Sequence, residues 1–294
     1  MSPLRKVVIC GVGLIGGSFA LALRGAGAVG ELVAMGRSRA TLDEAVRRRV
    51  IDRAAHDWDD ALAGADLVLL AMPVGQMEDV MGELAPRLSV DTLVTDAGST
   101  KQDVIAAARR RLGAKIEQFI PGHPIAGAEK SGVAAASANL YRGRRVVLTP
   151  LAENRRADVE RLAAIWRSCG AVVDELAPQV HDQTFAAVSH LPHLLAYALV
   201  HELAARADSE RLFSFAAGGF RDFTRIASSH PEMWRDICVA NRGPLIEELD
   251  AYQAALLRLR VLLAAADAPG LENLFAAARA ARDTWLEAME PPGE

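Results

Sequence analysis

"KVVICGVGLIGGSFALAL", residues 6–23, decides how the chain begins to fold. The run Val7, Val8, Ile9 is followed within seven residues by Gly11, Gly13 and Gly16, and then by the apolar periodicity of a helix. Glycines at that spacing between a strand and a helix have three uses. Gly11 permits the tight turn, Gly13 lets backbone approach a pyrophosphate, and Gly16 lets the helix pack on the strand. The helix start then offers open N–H groups and positive potential to an anion. A glycine-rich turn alone can serve packing, but this one sits on the first strand of a βαβ pattern. The reading is a dinucleotide site held by Gly11, Gly13, Leu14, Ile15 and Gly16, with Pro73 expected beside it.

The same alternation continues outward. The runs "ELVAMG", "ADLVLLA", "DTLVTDAG", "EQFIPG", "RRVVLTP" and "AVVDEL" alternate with helical patterns such as "TKQDVIAAARRRL". Continuous apolar runs suit strands covered on both faces, so a parallel, doubly wound sheet is expected. After about Pro178 strand signals stop and helical patterns fill the chain, broken at "AAGGF", "SSHPEM", "RGP" and "ADAPG". The expected architecture is an α/β Rossmann-type dinucleotide-binding domain over residues 1–175, followed by an all-α dimerisation and substrate domain over residues 176–294. The helical half is unusually apolar, as "LPHLLAYALVHELAA" and "LIEELDAYQAALLRLRVLLAAA" show, so a homodimer formed through it is expected.

Bulk properties remove several alternatives. The chain has 294 residues, 51% of them hydrophobic, a mean hydropathy of +0.13 and a net charge of −4. A mildly acidic chain is a poor partner for nucleic acid or an anionic membrane. Cys10, Cys169 and Cys238 are odd in number and far apart, which fits neither a disulfide framework nor a zinc cluster. No apolar run reaches membrane-spanning length, and a cytoplasmic protein is expected.

The cofactor's identity turns on the end of the second strand. An acidic residue there bonds the ribose 2′-hydroxyl of NAD. "ELVAMGRSRATLDEA" instead carries Gly36, then Arg37, Ser38 and Arg39. Two guanidiniums and a hydroxyl suit a 2′-phosphate, and NADP is expected over NAD. A solvated arginine loop beside a permissive site is the plainer account of the same residues.

Two polar stretches follow strands on the same edge of the sheet. In "TDAGSTKQ", Ser99 can cap the following helix, with Gln102 completing a capping box, and it also faces the crevice expected at the strands' carboxyl ends. In "PGHPIAGAEKSG", residues 121–132, His123 sits in a stiff loop. It is either a turn histidine bonded to local backbone or a general base able to take a hydroxyl proton. The helical half adds His181, His190 and His193 in "HDQTFAAVSHLPH". No third ligand of sound spacing accompanies them, so no metal is expected. "GGFRDFTRIASSHPEMW" combines Gly218, Arg221, Arg225 and Trp234, a run suited to admitting an anion near backbone and forking a carboxylate.

Taken together, "GVGLIGGS", "DAGSTK", "GHPIAGAEKSG", "HDQTFAAVSHLPH" and "GGFRDFTRIASSHPEMW" resemble the prephenate/arogenate dehydrogenases of tyrosine biosynthesis. The resemblance runs in order from about residue 5 to 245. It implies an oxidative decarboxylation in which hydride leaves C4 of a cyclohexadienol, the ring carboxylate leaves as CO₂ and the ring becomes aromatic. It also implies residue roles. His123 would polarise or deprotonate the C4 hydroxyl, and Ser99 would lie between that hydroxyl and the nicotinamide. His190 would position the substrate, and Arg225 would bind a substrate carboxylate. Gly218 and Trp234 are expected to line the same site. Prephenate, or use of both prephenate and arogenate, is favoured over arogenate alone, since no acidic residue stands out as an ammonium partner. The chain ends at "LEAMEPPGE" without the appended segment some members use for feedback, so any control by tyrosine would have to act at the active site.

Two other functions fit less well. β-Hydroxyacid dehydrogenases share a Rossmann half followed by helices but use a lysine in the helical half, and no lysine follows Lys130. A protein that binds NADP without turnover has no need of His123 and Arg225 together.

Overall fold

The structure is a computed structural model that describes residues 2–128 and 130–289. It divides into two compact units, residues 1–245 and 246–294.

The first unit opens with β1 (Leu4–Cys10), α1 (Leu14–Gly25), β2 (Val29–Met35), α2 (Arg39–Arg47), a short β3 (Arg53–Ala54) and α3 (Trp58–Leu62). β4 (Leu67–Leu70), α4 (Met77–Leu84), β5 (Leu93–Asp96), α5 (Gln102–Leu112) and β6 (Phe119–Ile120) complete a six-stranded sheet ordered β3-β2-β1-β4-β5-β6. Its pairings are all parallel, with Val8 opposite Val33 on one side and Val68 on the other. Each central strand feeds two cores. Val7, Ile9, Leu67 and Leu69 pack with Phe19 and Trp166, while Val8, Cys10, Val68 and Leu70 pack with Met77, Met81 and Val104. That two-sided burial is why these strands read as unbroken apolar runs.

One expectation is corrected here. "EQFIPG" does not give a single strand, and the last two runs do not extend the first sheet. β7 (Gly122–Pro124), β8 (Arg145–Leu148) and β9 (Val172–Glu175), with α6 (Arg156–Ser168) between the last two, form a separate three-stranded sheet. β7 is antiparallel to β8, placing His123 opposite Val147, and β8 is parallel to β9. Pro121 marks the break. It has no N–H to continue a ladder, and its carbonyl takes the N–H of Thr149 at 2.9 Å. His123 therefore stands on a strand and not in a loop.

The change to helices follows β9, inside the first unit. α7 (Pro178–Phe185) runs into a π-helical turn, Ala186–His190, and then α8 (Leu191–Ala204). α9 (Ser209–Ser214), α10 (Gly218–Thr224), a 3₁₀ turn Arg225–Ser228 and α11 (Pro231–Ala240) follow, and α12 (Arg242–Ala264) begins.

The second unit holds the rest of α12 and α13 (Ala268–Met289). Between them Ala266 adopts a left-handed conformation (φ 49°). Asp267 accepts the Gly270 N–H at 3.0 Å, capping α13. Leu257, Val261, Leu263, Phe275 and Trp285 are all more than half exposed. No helix of the described residues is long and apolar enough to cross a membrane.

Candidate active site

The glycine turn forms a cradle of bare backbone. Gly11 lies in the positive-φ region (97°), and a Cβ there would stand 2.7 Å from the Ala71 carbonyl oxygen. A Cβ on Gly16 would stand 2.3 Å from the Gly11 oxygen, so helix and strand meet at a distance only glycine permits. Gly13, by contrast, has nothing within 4 Å of its Cβ position, and no side chain caps the helix it starts. The N–H groups of Leu14, Ile15 and Gly16 thus open α1 without a side-chain cap, as a pyrophosphate site requires. Tyr141 fixes this turn by donating its hydroxyl to the Ile15 carbonyl at 2.6 Å.

Gly11, Gly13, Arg37, Ser38 and Pro73 line a cavity of about 550 Å³, which Trp58 also borders. Ser38 caps α2, accepting the Thr41 N–H at 3.2 Å and the Thr41 hydroxyl at 3.0 Å, which leaves its own hydroxyl hydrogen to donate. Arg39 does not share this wall. It turns to Asp43, one helical turn on, at 3.0 Å. The residues present fit a nicotinamide dinucleotide: an open helix start for the pyrophosphate, and an apolar-walled space beside a polar turn.

At the carboxyl edge of the sheet, one carboxylate organises two loops. Asp96, fully buried at the end of β5, accepts the N–H of Gly98 at 2.8 Å and that of Gly122 at 3.0 Å. These glycines immediately precede Ser99 and His123. Lys101, also fully buried, pairs with Asp96 and donates to the Gly122 carbonyl at 2.7 Å. Burial depresses the Lys101 ammonium against the pull of Asp96.

Ser99 does not cap α5, as the local pattern suggested. The helix starts at Gln102, and Asp182 of α7 accepts the N–H groups of Lys101 at 2.8 Å and Gln102 at 2.9 Å. A carboxylate brings charge as well as acceptors to the positive end of the helix, and Ser99 lies two residues short of the cap position. Its half-buried hydroxyl makes no hydrogen bond among the described residues.

Asp182 also reaches the histidines. Its Oδ1 lies 2.8 Å from His181 Nδ1, and His181 Nε2 lies 2.9 Å from His123 Nδ1. Phe185 closes over both imidazoles, with ring centroids 4.9 Å from His123 and 4.6 Å from His181. His123 is held well below the usual histidine range by burial, then by the charges of His181, Lys101 and His190. It is therefore neutral near pH 7, the form a base needs.

The helical wall holds the other rings. His190, fully buried, ends the π turn and meets Asn241 Nδ2 through Nδ1 at 3.0 Å. That Asn241 nitrogen also donates to the Asp182 carbonyl at 2.8 Å, so it is the amide NH₂ and His190 Nδ1 must accept. The His190 hydrogen then sits on Nε2, which is buried without a partner among the described residues; so is Trp234 Nε1. Burial pushes the His190 imidazole down to about 4. His193 stacks on Trp234 with centroids 3.7 Å apart and bonds the Ser189 carbonyl through Nδ1 at 2.9 Å. Burial lowers its pKa and the Arg225 guanidinium lowers it further. Arg225 is exposed and opens the 3₁₀ turn, and Gly218 opens α10 on an exposed stretch. The structure thus gathers His123, His181 and His190, and links them through Trp234 and His193 to the neighbourhood of Arg225. Gly218 has no Cβ neighbour within 4 Å.

Comparison with known proteins places this arrangement. Residues 19–175 match the family model for the prephenate dehydrogenase nucleotide-binding domain, and residues 177–277 match that for the prephenate dehydrogenase dimerization domain. The chain belongs to the prephenate dehydrogenase family. It is 36% identical over 282 residues to a prephenate dehydrogenase of Bacillus subtilis (strain 168), covering 94% of this chain and 75% of that one. It is 34% identical over 284 residues to a cyclohexadienyl dehydrogenase of Zymomonas mobilis, covering 96% of each. The crystal structure of prephenate dehydrogenase from A. aeolicus, in complex with hydroxyphenyl propionate and NAD+, superposes with a TM-score of 0.88 at 35% identity, covering 97% of this chain and 98% of that one.

Like its relatives, this prephenate dehydrogenase family member is an oxidoreductase, with a nicotinamide dinucleotide as its cofactor. Several of its site residues carried no clear signal in the sequence. Asp182 and His181 are adjacent in "HDQTF", but nothing local shows that they face His123, 58 residues away. Asp96 and Lys101 stand in "DAGSTK" beside Ser99, yet their burial as a pair depends on β7 lying across the end of β5. His193 has no assigned role in the sequence reading, although it is the ring stacked on Trp234. Glu129 of "GHPIAGAEKSG", which the family resemblance puts near the site entrance without a firm role, lies outside the described residues.

Proposed function

We propose that the protein is a cytoplasmic, NADP-preferring prephenate dehydrogenase of tyrosine biosynthesis, converting prephenate to 4-hydroxyphenylpyruvate and CO₂. The observation that carries this reading is the His123 imidazole. It is kept neutral, one residue past the Asp96-bound Gly122, and stands beside donors that hold hydrogens with no acceptor. The glycine cradle and the open start of α1 would hold the cofactor's pyrophosphate, and its nicotinamide would supply the hydride acceptor for C4 of the substrate ring. His123 Nε2 takes the proton of the C4 hydroxyl as the carbonyl forms. The electrons of the bond to the ring carboxylate then enter the ring, CO₂ departs, and His123 returns the proton to the new phenol oxygen. Ser99 donates to that oxygen, and Arg225 holds a substrate carboxylate. Aromatisation supplies the driving force, so the chain's own task is orientation and proton handling.

Prephenate is preferred to arogenate because His190 Nε2–H and Trp234 Nε1–H offer hydrogens to carboxylate or keto oxygens, and an ammonium would bring them only more hydrogens. NADP preference is supported by Gly36 in the place of an acidic residue and by Arg37 and Ser38 on the cavity wall, where the Ser38 hydroxyl keeps a hydrogen to donate. The expected Arg39 contribution is replaced by its pairing with Asp43. Residues 176–294 supply the substrate wall and, through the exposed apolar side chains of α12 and α13, a homodimer contact.

Steady-state assays with both substrates and both cofactors test the assignment. Turnover of prephenate with a higher kcat/KM for NADP is expected. Strong NAD preference overturns the cofactor reading, exclusive use of arogenate overturns the substrate, and no turnover of either overturns the activity.

A further inference from the structure

The mechanism needs a bare His123 Nε2, and the hydrogen bonds behind the ring dictate which nitrogen is bare. Asp182 carries an acceptor-only carboxylate. Burial opposes its ionisation, but the bonds from His181, Gln102 and Lys101 keep it below the usual carboxylate range. The nitrogen 2.8 Å from it, His181 Nδ1, must therefore hold a hydrogen. His181 is itself kept neutral by burial, so its Nε2 has only a lone pair. The His123 nitrogen facing that lone pair at 2.9 Å must donate. His123 is then the Nδ1–H tautomer, with its lone pair on Nε2.

We propose that His181 and Asp182 are positioning residues of the base: they fix the His123 tautomer and hold the counter-charge for the imidazolium it forms. This rests on reading His123 as the base.

The surrounding charges support the second part. From β5 and the segment before α5 comes the fully buried Asp96–Lys101 pair, of which Lys101 opposes a positive charge on the His123 ring. His190 faces it from the π turn as a neutral ring. Asp182 is the anion left over, and its capping of α5 holds it in place. When His123 Nε2 accepts the substrate proton, the positive charge spreads through the Nδ1–His181 bond toward that carboxylate. In this step the substrate's C4 O–H bond breaks and the His123 Nε2–H bond forms, the O–H electron pair becoming part of the new C–O double bond.

The test joins spectroscopy of the unliganded protein to kinetics. In ¹⁵N-histidine-labelled wild type, NMR should show His123 protonated at Nδ1 and bare at Nε2. In His181→Phe it should relax toward the Nε2–H form. His181→Phe should lower kcat by roughly ten- to a hundredfold, with substrate KM and cofactor Kd within about twofold. Asp182→Asn keeps an acceptor but loses the charge. The acid limb of its kcat/KM profile should move to lower pH by about half a unit or more, with a reduced plateau. A wild-type His123 protonated at Nε2 overturns the proposal. So does a His181→Phe enzyme with unchanged kcat, or an Asp182→Asn profile that falls in height without moving. Should either variant fail to fold, the wild-type NMR result still decides. His123→Asn separates the two readings: if it retains wild-type turnover the base assignment fails, and if it alone loses turnover only the relay fails.

Discussion

An asparagine at position 123 keeps a polar side chain of similar reach but cannot take a proton. kcat should fall by about 10²–10⁴-fold with KM little changed, as steady-state kinetics would show. An equal rise in KM would mean that the residue binds and does not react. The same histidines set the stability of the fold. His123, His181 and His190 all have depressed folded pKa values, His190 to about 4. Below about pH 6.5 the unfolded chain takes up protons that the folded chain refuses, so stability is lost as pH falls. Each such ring contributes at most about 1.4 kcal/mol per pH unit, until its folded pKa is reached. Urea midpoints should therefore drop between pH 7 and pH 5, and a flat profile across that range would contradict the burial of these rings.

The glycine turn allows a separation at the level of the element. Gly16→Ala pushes a Cβ to 2.3 Å from a backbone oxygen that cannot give way. It should cost about 1–3 kcal/mol of stability along with cofactor binding. Gly13→Ala meets nothing within 4 Å, so its unliganded melting temperature should hold while cofactor affinity falls, measured by titration of protein fluorescence. Equal melting losses in both would show that the turn serves packing alone. The contrast also explains what the sequence made legible. β1, its turn and α1 are specified by neighbours within twenty residues, and their pattern could be read directly. The cap of α5 could not, because Ser99 and Gln102 offered a plausible local solution while the acceptor came from Asp182, eighty residues on. β7 was hidden for a similar reason: "EQFIPG" is one apolar run, and only the lost N–H of Pro121 divides it between two sheets.

At the scale of the molecule, the α/β half and the change to helices after β9 were legible from periodicity alone. The helical surface was legible only as an excess of apolar residues. On α12 and α13, Leu257, Val261, Leu263, Phe275 and Trp285 remain more than half exposed in the single chain, and the family model covering residues 177–277 is a dimerization domain. Light scattering should give twice the 31.4 kDa chain mass. Leu257→Asp with Val261→Asp should shift that mass toward the monomer, and a monomeric wild type would contradict the dimer.

The π turn at residues 186–190 sets the phase of everything that follows. It carries one residue more than an α-helical turn, with Val188 at its tip, 67% exposed. Each residue of an α-helix advances the chain by about 100°. Without that extra residue, α8 would rotate by about that angle relative to α7. His193 would swing off the indole of Trp234, and the His190 ring would lose its seat on Asn241. The alignment of the helical wall with the histidines of α7 thus rests on a single insertion, whose exposed valine has no other evident use.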